Sequence, residues 1–442
     1  MSSDLIDRPQ AKTDLIPILN PPQAAALTAD MPKLRAILRM HGIPVWREDT
    51  AQAVRKYQVF LFQHQILKIY KVEEQTVWLN NTLDAPTETV YEDVTEELDE
   101  AEARRIHHYA VRSLYAMGLD FGSVSIGAAS PTRMRVLDVH PDPVLPQESG
   151  IDFAGMVGDF VAEFQAARRT VRNVMLGADP EFALRRPDGT MGIASDFLGK
   201  MGVIGCDAAR LREEGRFSQQ RPLVEVRPQP TTDPHELFLH IAKALRFASR
   251  KITDDTLEWV AGGMPFDGYP IGGHIHLSGI PLTFQLIRKL DAYLCLPLAL
   301  IEDEGCQARR PRYGFLGDFR TQDHGGFEYR TLPSWLVSPR ITKAVLALTK
   351  IIATHHELLT IDTLPLNIQK AYYDSDRSIL LPFARRVYRE INRLPLFASY
   401  KKDLQPFFST LFSGEIWLAK SDIRQAWRVP PFHLNNTEKT ML

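Results

Sequence analysis

Four short segments of this 442-residue chain share one pattern: two charged or titratable residues separated by a single residue, in text that otherwise reads as β-strand. VMLGADPEFAL carries Asp179 and Glu181, RPLVEVRP carries Glu225 and Arg227, GGHIHLSG carries His274 and His276, and GGFEYRTLPSWL carries Glu328 and Arg330. Strand side chains alternate between faces, so residues i and i+2 point the same way, about 6.6 Å apart along the chain. Each segment therefore projects two polar groups to one side, while Pro180, Val226, Ile275 and Tyr329 face the other. Pro180 cannot donate to a ladder, which predicts an edge, a strand start or a bulge for its segment.

Any one pair has an ordinary explanation. E-x-R makes a cross-strand ion pair, H-x-H packs or sits on the surface, and D-x-E is solvated. Four of them between residues 179 and 330 predict neighbouring strands whose polar faces converge. Asp179, Glu181, Glu225 and Glu328 would then need compensating cations, because carboxylates a few Å apart repel by several kcal/mol at intermediate dielectric. A divalent metal answers that need, and a carboxylate-rich set favours Mg²⁺ or Mn²⁺ over zinc. Arg227 and Arg330 would face an anionic substrate, phosphate or carboxylate. Metals with arginines suit phosphoryl transfer from a nucleotide. With no G-x-x-x-x-G-K-[ST] loop and no kinase-type glycine loop in the chain, that nucleotide is expected to lie on a sheet.

The rest of the chain sets the frame. A formal net charge of -2 argues against general affinity for nucleic acid or acidic membranes, and no run of 18 apolar residues suggests a membrane span. Cys206, Cys295 and Cys306 have no metal spacing and read as free thiols, which with the unremarkable N-terminus suggests the cytoplasm. KYQVFLFQ, HQILKIYKV and QTVWLNN read as strands, and YEDVTEELDEAEARRIHHYAVRSLYAMG as one helix with an acidic start. Two more strands follow in GSVSIGAASPTRMRVLDVHPDPVLP, then a helix in IDFAGMVGDFVAEFQAARRTVRN. Asp233 and Pro234 open a helix by capping and a preset φ, and the text after residue 341 is mostly helical. The expected organisation is a first domain over residues 1–170 and a second over 171–442, whose part from 341 to 442 is helical.

GADPEF, EVRP, GGHIHLS and FEYRTLPSWL, in that order, resemble the carboxylate–amine ligase superfamily that includes glutamine synthetase and gamma-glutamylcysteine synthetase. The nearest resemblance is to the phage-type amidoligases, the COOH–NH2 ligase type 2 proteins, over roughly residues 172–340. The resemblance implies an α+β fold with a glutamine synthetase-like curved antiparallel sheet, a half barrel, holding Mg²⁺ or Mn²⁺ ions between the sheet and ATP. It implies metal ligation by Asp179, Glu181, Glu225, His274 and Glu328, with His276 on the nucleotide side. Arg330 would stabilise the phosphoryl group, with Arg227 also in the catalytic set. QARRPRYG resembles the family's phosphate-contacting region, which makes Arg309, Arg310 and above all Arg312 candidates. Asp179 departs from the pattern, since glutamine synthetase has Glu there. Asp207 would line the substrate pocket, and RTQDHGGF at 320–327 would form a lid. The implied reaction is ATP-driven amide formation through an acyl phosphate, from small-molecule or peptide carboxylate and amine substrates.

The first domain resembles the last catalytic stretch of ATP-grasp enzymes in eroded form. Ser125 stands where a metal-binding Asp is expected, and Asp138 and His140 replace Glu and Asn. Residues 1–170 are therefore expected to be a partial, degenerate ATP-grasp-like α+β domain without its own catalysis. Two other functions stay open at this point: a non-catalytic binding or scaffold protein, and a zinc hydrolase using His274 and His276. The latter lacks a third His or Cys nearby.

Overall fold

Two antiparallel sheets organise the computed structural model, which describes residues 17–46, 53–76, 87–130, 132–167, 173–208, 220–310, 312–418 and 420–431. The first sheet has the order β3-β2-β1-β4-β5. Its strands are β1 (Arg55–Phe62), β2 (Gln65–Thr76), β3 (Thr87–Asp93), β4 (Phe121–Ser130) and β5 (Arg133–His140). One face packs on the helix Glu100–Ala116 through Tyr57, Val59, Leu61, Val124 and Ile126, all nearly inaccessible.

Part of the acidic run expected to begin that helix is instead strand: Tyr91, Glu92 and Asp93 lie in β3. Cross-strand charge holds it there, with Lys68 on Asp93 at 2.6 Å and Lys71 on Glu92 at 3.3 Å. The helix starts later, where the Asp99 carboxylate accepts from the Ala101 and Glu102 N–H groups. Of the strand read from QTVWLNN, Gln75 and Thr76 end β2 and residues 77–81 lie outside the described residues.

The second sheet carries the four polar pairs. Its strands are β6 (Met175–Arg185), β7 (Ile204–Asp207), β8 (Leu223–Val226), β9 (Glu258–Val260), β10 (Gly273–Ser278), β11 (Phe319–Thr321) and β12 (Phe327–Tyr329). The order is β11-β12-β10-β6-β8-β7, with β9 on the far end of β6, and neither sheet closes into a barrel. Its apolar face lies against helices: Phe182, Val226, Ile275, Leu277 and Tyr329 are each 1% exposed or less. The helices Pro234–Lys251, Pro339–His355 and Phe397–Ser413 pack on one another in this layer. Asp233 caps the first of them by accepting from the His235 N–H at 2.9 Å.

Pro180 sits inside β6, a central strand, and not at an edge. The reason is the direction of its nitrogen. The Glu181 N–H donates to the Gly272 carbonyl on the β10 side, so position 180 faces the other way, where pairing with β8 begins only at Glu181 and no ladder bond needs the donor that proline lacks.

A single hydrophobic cluster runs through both sheets and the C-terminal helices. Polar struts cross the same junction. The Phe284 N–H donates to Gln63 Oε1 at 2.5 Å, Arg288 pairs with Asp120 at 2.9 Å, and the Tyr115 hydroxyl donates to Asp291 at 2.8 Å. Asp291 also accepts from the Tyr329 hydroxyl at 2.7 Å, so β12 is tied through one buried carboxyl to the helix Glu100–Ala116.

Candidate active site

Strand register turns the four pairs into three rows on one face of the sheet. In the first, Glu225 of β8 lies directly across from Glu181 of β6, with Gly205 of β7 beyond it. In the second, Asp179 lies across from His274 of β10. In the third, Gly177 lies across from His276, then Glu328 of β12, then Arg320 of β11. Glycines supply the space. A Cβ on Gly272 would fall 2.3 Å from His274 Nε2, and one on Gly205 would fall 2.1 Å from Arg227 Nη1. The face encloses a cavity of about 100 Å³ whose acidic lining is Asp179, Glu181, Asp207, Glu225, Asp318 and Glu328, with His274, Arg309, Arg320 and Arg330 as its cations.

Charge in this cavity is crowded and mutually adjusted. Burial would raise the Asp179 carboxyl, but the His274 charge and hydrogen bonds from both imidazoles hold it well below the usual carboxylate range. Glu328, with no solvent access, is likewise held down against burial by His274, whose Nδ1 is 3.0 Å from Glu328 Oε1, and by Arg330. His274 answers in kind: burial opposes its charge, yet Asp179 and Glu328 push it up to about 10. Glu181 is raised by burial, although its Oε2 accepts from the Gly272 N–H at 2.6 Å. Glu225 is pushed up to about 8 by burial and by the charge of Asp179, with Arg227 opposing. A site that lifts two carboxyls while holding two down has more negative charge than its own cations neutralise.

A divalent cation fits this donor set. One ligand atom each from Asp179, His276 and Glu328 lie within 4.8 Å of one another. Two of those atoms already face each other, His276 Nε2 at 3.1 Å from Asp179 Oδ1, which also lies 3.4 Å from His274 Nδ1, and Glu328 Oε2 faces Arg320. A cation held there would compete with the imidazoles and Arg320 for the same carboxylate oxygens. Glu181, Glu225 and His274 border the same cavity or its wall.

The arginines divide into three groups. Arg330 lines the cavity, pairs with Glu328 and lies 3.9 Å from Asp318. Arg227 reaches Glu225 with one nitrogen and the Lys200 carbonyl with the other at 3.0 Å, so it braces the cavity from outside. The three arginines of QARRPRYG point different ways. Arg309 reaches the cavity wall, but its guanidinium donates to the Thr331 and Leu332 carbonyls at 2.8 Å each and so shapes the chain after Arg330. Arg310 is turned into the protein, onto Glu302 at 2.6 Å and the Tyr372 carbonyl, because Glu302 is the buried carboxylate within its reach. Arg312 is exposed and does not line the cavity.

Three residues of the site escaped the sequence reading. Arg320 pairs with Glu328 from the edge strand and is 56% exposed. Asp318 faces Arg330, and the Gln322 amide nitrogen donates to His276 Nδ1 at 3.0 Å. Arg320 and Gln322 share i, i+2 spacing in RTQDHGGF, which was the available signal. In the first sheet, Ser125 lies across from Asp138 as the strand pairing requires, but Asp138 is taken by His140 at 2.9 Å and Ser125 by Gln58 at 2.6 Å.

No curated protein matches the chain. Many solved structures are loosely similar, among them the following three. The ATP-grasp ligase PsnB, complexed with minimal precursor, shares 16% identity at a TM-score of 0.27, over 33% of this chain and 64% of that one. The ligase PafA, in complex with the prokaryotic ubiquitin-like protein Pup, shares 10% at a TM-score of 0.37, over 56% and 66%. Apo GmaS shares 15% at a TM-score of 0.28, over 64% and 79%. This chain thus spans under two thirds of the PsnB ligase. The profile of the phage phiEco32-like COOH.NH2 ligase-type 2 proteins matches residues 176–429, more than half of the chain and all four polar pairs. The chain belongs to that family.

Proposed function

We propose that the protein is an ATP-dependent carboxylate–amine ligase that forms an amide bond through an acyl phosphate. The observation that carries this reading is the set of carboxylates and imidazoles on one sheet face, three of them with ligand atoms within 4.8 Å of one another, flanked by arginines. Bound Mg²⁺ or Mn²⁺ would supply positive charge for the phosphates and offset the charge of this set. Asp179, Glu181, Glu225, His274, His276 and Glu328 would hold the ions. The cavity has room for ions and phosphate groups and leaves the rest of a nucleotide at its mouth.

The remaining work is positioning. Arg330, held between Glu328 and Asp318, sets a fixed positive charge beside the transferred phosphoryl group. Arg320, more exposed and on the edge strand, is the cation free to turn toward phosphate or carboxylate oxygens. A carboxylate oxygen attacks the γ-phosphorus and the bond to ADP breaks. The amine nitrogen then attacks the acyl carbon and inorganic phosphate leaves. Asp207, at the cavity wall, offers a counter-charge for the incoming amine. Residues 1–170 act as a scaffold, since the polar side chains at the ATP-grasp-like positions satisfy one another.

The test is ADP and phosphate release with ATP and Mg²⁺ across a panel of carboxylates and amines, beside a Glu328→Ala control. Release that needs both substrates and vanishes in the control supports the reading. Nucleotide binding without turnover across a broad panel would favour the scaffold alternative.

A further inference from the structure

Outside the catalytic cavity, a large apolar depression lies between the loop 197–204 and the exposed flank of the helix Pro234–Lys251. Its volume is about 620 Å³. Large apolar side chains stand open to solvent there: Met201 is 79% exposed, Val203 51% and Phe247 44%. Clusters of this kind mark binding surfaces on soluble proteins. The rim is basic. Lys243 and Lys251 line the groove, Arg246 and Arg250 lie on the same helix, and all four are exposed without a carboxylate partner among the described residues. Among the described residues no Asp or Glu lines the groove. This excess of positive charge is local, since the whole chain carries a net charge of -2.

The groove and the cavity lie on opposite faces of the sheet and meet at its β7 edge. Ile204 lines the groove and Asp207, three residues further along β7, lines the cavity, about 10 Å away along the strand. Arg227 joins the two places directly, with one nitrogen on the Lys200 carbonyl of the groove loop and the other on Glu225.

We propose that this groove docks an acidic polypeptide with an apolar anchor, and that the docked chain carries the carboxylate to be ligated. The proposal rests on the ligase reading above and names its substrate class. The apolar anchor fills the depression beside Phe247 and Met201, acidic residues face the lysine rim, and the reacting carboxylate lies roughly four residues further on, in the cavity. A concave site with charged rims suits an extended chain better than a flat lipid surface.

The experiment measures binding without ATP, so it stands apart from turnover. The probe is a fluorescein-labelled synthetic peptide of glutamates with one leucine, read by anisotropy at low and moderate salt. The wild type is expected to bind it and to release it as salt rises. The Lys243→Glu, Lys251→Glu double variant should weaken binding at least tenfold and Phe247→Ser several-fold, with unchanged melting temperatures, since all three side chains are exposed. Moving the leucine from four to one residue from the C-terminal carboxylate should lower peptide-dependent ADP release without lowering affinity. Equal affinity in wild type and double variant would overturn the proposal. So would binding of anionic vesicles but not peptide, or a tenfold gain in peptide affinity when residues 209–219 are replaced by a glycine-serine linker, which would make that segment the occupant. Peptide binding with no ADP release from any substrate pair would instead sink the ligase reading and leave the groove a docking site. ADP release from free amino acids with no peptide binding would do the reverse.

Discussion

Adding one methyl group at Gly272 tests the site's geometry without touching its charge. A Cβ there would lie 2.3 Å from His274 Nε2 and 2.8 Å from its Cδ2, where ordinary contact begins at 3.4 Å. The imidazole must therefore retreat by about 1 Å, since a packed interior has no slack to absorb the overlap otherwise. His274 Nδ1 now stands 3.0 Å from Glu328 Oε1 and 3.4 Å from Asp179 Oδ1, and a shift of that size breaks both contacts. Metal sites tolerate ligand errors of only about 0.2 Å. Gly272→Ala should thus lower Mn²⁺ affinity about 10- to 100-fold, as changes beside metal ligands do. Overpacking should cost about 1–3 kcal/mol, at the low end because the ring borders a cavity. Titration calorimetry with Mn²⁺, alongside a thermal melt, reads both effects. Gly177→Ala provides a graded comparison: its Cβ would approach only the His276 Cβ, at 3.2 Å, and should weaken binding less. Mn²⁺ affinity unchanged in Gly272→Ala would refute the placement of His274 in the metal site.

Three other perturbations separate roles. Arg310→Met strands the buried Glu302 and should destabilise the fold by about 3–5 kcal/mol, yet leave nucleotide affinity of the folded fraction unchanged in a binding assay. Arg320→Ala removes a charge-assisted contact worth about 1.5–3 kcal/mol and should lower kcat/KM about 10- to 100-fold with little change in melting temperature, because the side chain is exposed. Asp291, raised to about 7 chiefly by burial from an ordinary value of 3.8, binds its proton more tightly folded than unfolded. Stability should therefore fall as pH rises from about 4 to about 7, and Asp291→Asn should flatten that slope in urea titrations at several pH values.

The rows of the site were legible because strand alternation is strict. Once Asp179, Glu181, Glu225, His274, His276 and Glu328 were placed in strands, their shared face followed, and so did the burial of Val226, Ile275 and Tyr329 behind them. The cap at Asp233 was legible for the same local reason. What was not legible depended on partners distant in sequence. Nothing near QARRPRYG announces that Glu302 and the Tyr372 carbonyl claim Arg310, or that the chain at 330–332 claims Arg309. The acidic text around Tyr91 looked helical until β2 supplied lysines opposite it. Pro180 looked disruptive because the point at which β8 begins to pair with β6, at Glu181, is set by a strand some forty residues away in sequence.

The central claim is that carboxylates from β6, β8 and β12 share divalent cations that hold a triphosphate. Crystals grown with Mn²⁺ and a non-hydrolysable ATP analogue test it most directly through anomalous scattering. The expected result is manganese peaks bordered by Glu181, Glu225, His274 and Glu328, with the γ-phosphate toward Arg330. Manganese confined to other surfaces, or nucleotide bound away from these side chains, would contradict it.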